Sequence, residues 1–216
     1  MIRKYTLIIC SLFIAFALSA CAAKPVSAVP SSLEEIPPVD DKTQVAVIDG
    51  DRAFDPQSLE EEEKYADYVV KGVLLNDAKQ KVKRFDDKLA IWGVTVSTLK
   101  ITWVYRGGLT IGDRIPVAEN YYTVVENGNT IRREFAYAPS VPEKEYVFFL
   151  GKENGKNSFL DGFYVPVMGE KGRYPVEDIG FLPEIDFLSK KDLNLTVTDP
   201  DVYKSIYKQV MNKYIR

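Results

Sequence analysis

The chain of 216 residues contains no histidine and only two cysteines, at positions 10 and 21. The missing imidazoles remove any Ser-His-Asp or Cys-His relay and any histidine ligation of zinc. The cysteine count allows at most one internal disulfide. Basic residues are outnumbered, 28 against 31 acidic ones, for a formal charge of -3. An acidic chain has no general attraction for nucleic acid or anionic lipid, so no nucleic-acid partner is expected. No apolar run reaches the ~20 residues that cross a bilayer. The longest, Tyr5 to Ala17, is broken by Thr6 and Ser11.

What stands at the amino terminus is a leader pattern. Arg3 and Lys4 precede that apolar run, and small residues follow it, the three-part plan of an export signal. The stretch Leu18-Ser19-Ala20-Cys21 resembles the lipobox of bacterial lipoproteins, in which the thiol is joined to diacylglycerol and Cys21 becomes the first mature residue. The alternative is an ordinary signal peptide cut after Ala20. On the lipobox reading residues 1–20 are removed and Cys10 goes with them. The mature chain then holds one acylated cysteine, no disulfide and a formal charge of -5 once Arg3 and Lys4 are lost. Its fold must rest on a packed core, for which the remaining ~170 residues suffice. The resemblance implies a lipid anchor, such as a palmitoylated one, on the outer face of the cell membrane in a Gram-positive-like envelope. The fatty chains would contribute about 0.8 kcal/mol per buried methylene.

Residues 21–57 have the composition of a flexible tether, with Pro25, Pro30, Pro37, Pro38 and Pro56 among Ser and Ala. Within them Gln44 to Ile48 reads either as a short added strand or as disorder. Ser58-Leu59-Glu60-Glu61 is a capping box, predicting a short helix to about Ala66. A first strand follows from Asp67 to Leu75. The Lys- and Asp-rich stretch Asn76 to Lys88 reads as an exposed hairpin loop or a frayed strand end. Trp92, Val94, Val96, Thr98, Ile101, Trp103 and Tyr105 predict one long strand, bulged near Leu99-Lys100 where the alternation slips. Asn127-Gly128 marks a hairpin between Tyr121–Val125 and Thr130–Phe135. Glu145 to Gly151 is apolar enough for a strand buried on both sides. Asp199-Pro200-Asp201 opens a late helix to about Tyr214, with a core-facing stripe at Tyr203, Ile206, Tyr207 and Val210. The expected fold is mainly β, an OB-like closed or partly open barrel with a short N-terminal helix and a C-terminal helix. The barrel domain is placed at 58–180 and the helical extension at 181–216.

Three stretches carry a further resemblance: Tyr65-Ala66-Asp67-Tyr68-Val69-Val70-Lys71-Gly72, Leu99 to Gly107 with Gly112-Asp113-Arg114-Ile115, and Glu143 to Leu150. They are similar to the barrel of the netrin-module and tissue metalloproteinase-inhibitor superfamily. This covers about Leu59 to Val176 and implies a fold. The inhibitory mechanism does not carry over, since it uses a free amino-terminal cysteine pinned by disulfides. Barrels of this kind bind along one face through exposed aromatics. Tyr121, Tyr122, Tyr137 and Tyr164, with Phe135 and Phe163 and the pair Arg132-Arg133 beside them, are the candidate contacts. Single acids such as Asp161 and Glu170 are expected to be solvated. The expectation is a monomeric, non-enzymatic lipoprotein, without metal or cofactor, that binds a protein or an envelope polymer. The alternative is an envelope hydrolase using a carboxylate pair, although no spacing among the acids singles one out.

Overall fold

The computed structural model describes residues 27–49, 55–86, 89–155, 158–177 and 179–215. The leader, Cys21 and the start of the expected tether lie outside the described residues. Strand β1 is Gln44–Ile48, helix α1 is Leu59–Tyr65, and strands β2 to β4 are Tyr68–Leu74, Lys79–Phe85 and Leu89–Arg106. Then follow β5 (Arg114–Glu119), β6 (Tyr121–Glu126), β7 (Asn129–Phe135), β8 (Glu145–Lys152), β9 (Tyr164–Pro166), β10 (Arg173–Pro175) and helix α2 (Pro200–Tyr214).

Five strands close on themselves in the order β2, β4, β5, β9, β8 and back to β2. Alternation along each strand sends one set of side chains inside. Val70 and Leu74 of β2 meet Leu99 and Ile101 of β4, Ile115 and Val117 of β5, Tyr146, Phe148 and Leu150 of β8, and Tyr164 of β9 in one cluster. Strand β8 is also covered on its other face, as its sequence predicts. Val147 and Phe149 join Val69 of β2 beneath α1 and α2, against Leu59, Ile206, Tyr207 and Val210. Each large apolar side chain hidden in this way contributes about 1.5 to 3 kcal/mol. The mainly β barrel with two helices is therefore the observed fold.

Both helices start where their caps predict. The Ser58 hydroxyl accepts from Glu61 N, while the Glu61 carboxylate reaches back to the amide of Gln57, 2.7 Å away. Asp199 caps α2 by accepting from Asp201 N at 2.8 Å, with Pro200 at the first helical position. Asn127 and Gly128 both take positive φ, 50° and 79°, in the turn of the β6–β7 hairpin. That hairpin and β1, which runs parallel to β7, form a second sheet.

Three expectations are corrected. First, the polar stretch after β2 is a strand: β3 pairs with β4 from Lys79↔Val96 to Phe85↔Leu89 and lies along the same edge of β4 as β2. Its alternate lysines hide a strand whose inward residue is Gln80, 2% exposed. Second, β4 is regular through Leu99-Lys100. Its register with β2 shifts between Ile101 and Trp103, and again between Val104 and Arg106. The apparent slip arises because Val94 and Val96 are apolar on the outer face, where Val29, Leu33, Phe159 and Phe163 cover them. Third, the supposed flexible tether is structured: residues 27–34 pack on the barrel and Gln44–Ile48 joins the second sheet. Ala28 N donates to Thr98 Oγ1, and Glu34 bridges Gln80 through two backbone bonds of 2.9 and 2.8 Å.

Gln80 joins the two sheets. Its side-chain amide donates to Thr123 O and accepts from Thr123 N, both at 3.0 Å, so one amide does for β6 what a neighbouring strand would do.

Candidate functional site

The candidate aromatics do not form an exposed strip. Tyr122, Tyr137 and Tyr164 are buried, at 0%, 1% and 7% exposure, and Tyr121 is half-buried. The Tyr122 ring lies over Gly93, where a Cβ would come within 2.7 Å of it. Tyr164 packs edge-on to Tyr68 at 5.2 Å inside the barrel. Phe163 is buried and Phe135 stacks on Tyr122. The expectation of exposed aromatic contacts is corrected for these rings, because Tyr122, Phe163 and Tyr164 pack into hydrophobic clusters and the Tyr137 hydroxyl is held by buried Glu119. Arg133 gives two bonds to the Glu126 carboxylate, one to Tyr122 Oη and one to Ala90 O. Arg132 bonds Glu134 at 2.7 Å. Both guanidinium groups are thus paired with carboxylates of the β6–β7 hairpin.

The polar chemistry gathers elsewhere, in a layer between the end of the barrel, the loop before β10, and the C-terminal extension. The loop Gly169-Glu170-Lys171-Gly172 forms a tight turn, and a Cβ on Gly172 would lie 2.3 Å from Val167 O. This close approach carries three charged side chains inward. Glu170 is 1% exposed, which corrects its reading as a solvated acid. Its carboxylate accepts from Ala138 N, from Thr196 N and Oγ1, and from Thr198 N, fastening the extension to the barrel. Lys171 Nζ donates to Asp55 Oδ1 at 2.8 Å and Pro56 O at 2.6 Å. Arg173 follows on β10, opposite Phe148.

Two more buried carboxyls belong to this layer. Glu62, on the inner face of α1, accepts from the Tyr174 hydroxyl at 2.9 Å, and its other oxygen has no partner. Burial holds its pKa well above the usual carboxyl range, against the hydrogen bond from Tyr174 and the charge of Lys171. Glu119, at the end of β5, accepts from Tyr137 Oη at 2.7 Å and from the Ser140 hydroxyl. Burial raises its pKa too, opposed by the charge of Arg173. The same burial, reinforced by Glu119, keeps the Tyr137 phenol protonated far above its ordinary range. No charged residue of this layer was legible as buried in the sequence. The one local signal is the pair of glycines framing Glu170 and Lys171.

Beside Arg173 lies a cavity of about 140 Å³, walled by side chains of β8, β10, α2 and the segment between the last two. Its lining includes Tyr146, Pro175, Phe181, Leu188, Tyr203 and Tyr207. Tyr203 Oη donates to Arg173 O at 2.9 Å and Tyr207 Oη to Pro175 O, which aligns both rings along the wall. Larger depressions lie elsewhere on the described surface, two of them well over twice this volume. One, of 410 Å³, lies between residues 30–34, β3 and Phe163, and one of 480 Å³ lies between α1 and α2. Among the described residues no group of three or more acidic or cysteine side chains is arranged to hold a metal ion, and no helix is long and apolar enough to cross a membrane.

No protein-family model matches the chain, and no curated protein is significantly similar to it.

Proposed function

We propose that the chain is a lipid-anchored lipoprotein on the extracytoplasmic face of the cell membrane, and that its barrel is a non-enzymatic binding module, a monomer, for a protein or an envelope component. The anchor reading is supported by the leader and by Leu18-Ser19-Ala20-Cys21. The barrel reading joins the closed five-strand ring to the sequence resemblance to the netrin-module superfamily. The observation that carries the binding reading is the cavity beside Arg173. Tyrosine and phenylalanine rings line it beside a buried cation, together with Lys144, Glu177, Asp192 and Asn194, so it offers apolar surface and polar groups in one concave site, as small-ligand sites do. The four buried carboxylates Glu62, Glu119, Glu134 and Glu170 are each engaged by neighbouring hydroxyl, amide or guanidinium groups.

The test uses the full chain expressed with its leader. Cys21→Ser should move the protein from the membrane fraction to the medium, or leave an unprocessed precursor. A variant that is processed and fractionates as wild type does overturns the anchor. Incubated with purified envelope polymer, the wild-type chain should leave its mass distribution unchanged. Time-dependent cleavage would replace the binding module with the carboxylate hydrolase.

A further inference from the structure

We infer that the cavity beside Arg173 takes a small monocarboxylate, its carboxylate held by the buried guanidinium and its body against the tyrosine wall. This rests on the binding-module reading and names the class of ligand.

Arg173 is 4% exposed and lines the cavity. A guanidinium has five N–H donors. Here Nη2 donates to Ala138 O at 2.5 Å, and Nε has no hydrogen-bond partner among the described residues. The charge is kept in place by its surroundings. Burial works against it, but the Tyr137, Tyr203 and Tyr146 hydroxyls and the Glu119 carboxylate outweigh burial and hold the group protonated. The Tyr137 and Tyr146 rings flank the guanidinium carbon at 4.9 and 5.9 Å. Glu119 does not complete an ion pair in hydrogen-bond contact, since it accepts from Tyr137 and Ser140 instead. A desolvated cation with an unused donor is costly, and an incoming carboxylate oxygen offsets that cost with a charge-assisted bond.

The rest of the lining decides what the carboxylate carries. Tyr146, Pro175, Phe181, Leu188, Tyr203 and Tyr207 offer rings and aliphatic surface. A cavity of ~150 Å³ holds benzene, so a body of about that size fits. Glu177 and Asp192 also line the cavity, and Glu177 already pairs with Lys144, its only lysine. With Glu177 taken by Lys144, Asp192 is left facing Arg173 among the described lining residues, and that balance tolerates one added negative charge better than the two of phosphate.

The experiment titrates the full mature chain, in detergent, with benzoate, with its neutral isostere benzamide and with inorganic phosphate, by calorimetry. Benzoate should bind saturably. Benzamide should bind at least about tenfold more weakly, lacking the charge that meets Arg173, and phosphate should give no saturable heat up to ~10 mM. Leu188 is only half-buried in the cavity wall, so Leu188→Trp should fill the space and abolish benzoate binding while the melting temperature stays that of wild type. Equal binding of benzoate and benzamide, equal binding of phosphate, unchanged affinity in Leu188→Trp, or no benzoate binding by the folded wild type would each overturn the inference. None of these results bears on the Cys21 fractionation or the polymer-cleavage assay, so failure of the ligand class and failure of the binding module are separable.

Discussion

The two faces of β8 bound two different kinds of interior. Inside the barrel, Phe148 and Leu150 join one cluster of apolar and aromatic residues from the other four strands. Outside, Val147 and Phe149 face a layer in which Glu62, Lys171 and four tyrosines of β10 and α2 share space with aliphatic side chains. The barrel interior is held by area and shape. The outer layer is held by polar groups that must each find a partner, because an unpaired buried donor costs more than a paired one gains. The barrel can therefore tolerate another apolar group of similar size, whereas the layer depends on particular atoms.

The comparison is broken first, and hardest, from the barrel side. Phe148→Ala, at a fully buried position, should lower the unfolding free energy by about 3 to 5 kcal/mol in urea titration, while Phe148→Leu should cost well under half of that. In the outer layer Glu170→Ala strips the acceptor from three backbone amides and one hydroxyl. It should cost about 3 kcal/mol, and hydrogen exchange should speed up at the amides of Ala138, Thr196 and Thr198 in particular. A cost within 0.5 kcal/mol, roughly the range of surface changes, would show that this layer is wet.

Between the two regimes stands Gln80→Leu, which keeps the bulk and removes the two bonds to Thr123. A loss of about 2 kcal/mol is expected, with the Thr123 amide losing its protection and the barrel amides keeping theirs. Glu62 sharpens the contrast through pH. Its folded-state pKa lies well above the ordinary value, so above the unfolded pKa the folded chain keeps a proton that the unfolded chain has released. Stability therefore falls as pH rises through that window. Glu62→Gln retains an acceptor for Tyr174 and removes this dependence. Its melting temperature relative to wild type should be higher at about pH 8 than at about pH 5, with a residual slope from Glu119, whose pKa is shifted the same way. The smallest effect belongs to the surface. Lys64→Ala breaks a highly exposed helix pair with Glu60 and should change stability by less than about 0.5 kcal/mol.

How much of this was legible depended on the range of the interaction. The caps at Ser58 and Asp199 and the turn at Asn127-Gly128 are decided within four residues, and each stands where its sequence predicts. The run from Glu145 to Gly151 announced burial on both sides by composition alone. Strand β3 escaped because its lysines are long enough to snorkel, with Lys81 reaching Phe159 O while the backbone stays in the ladder. The tyrosines misled for a related reason. A phenol suits a wet surface or a buried bond equally well, and Tyr137 found a buried acceptor in Glu119.

Local chemistry in the sequence determined where the helices begin, where the hairpin turns and which runs must be strands, since each follows from contacts between near neighbours. Only the tertiary structure decided that residues 27–34 pack on the barrel, that Tyr122, Tyr137 and Tyr164 are buried, and that Arg173 lies beside a cavity. Those outcomes depend on partners 35 to 112 residues away, as when Ala28 meets Thr98, Arg173 meets Ala138 or Glu62 meets Tyr174, and a buried charge is tolerated only where the closed fold has brought such partners to it.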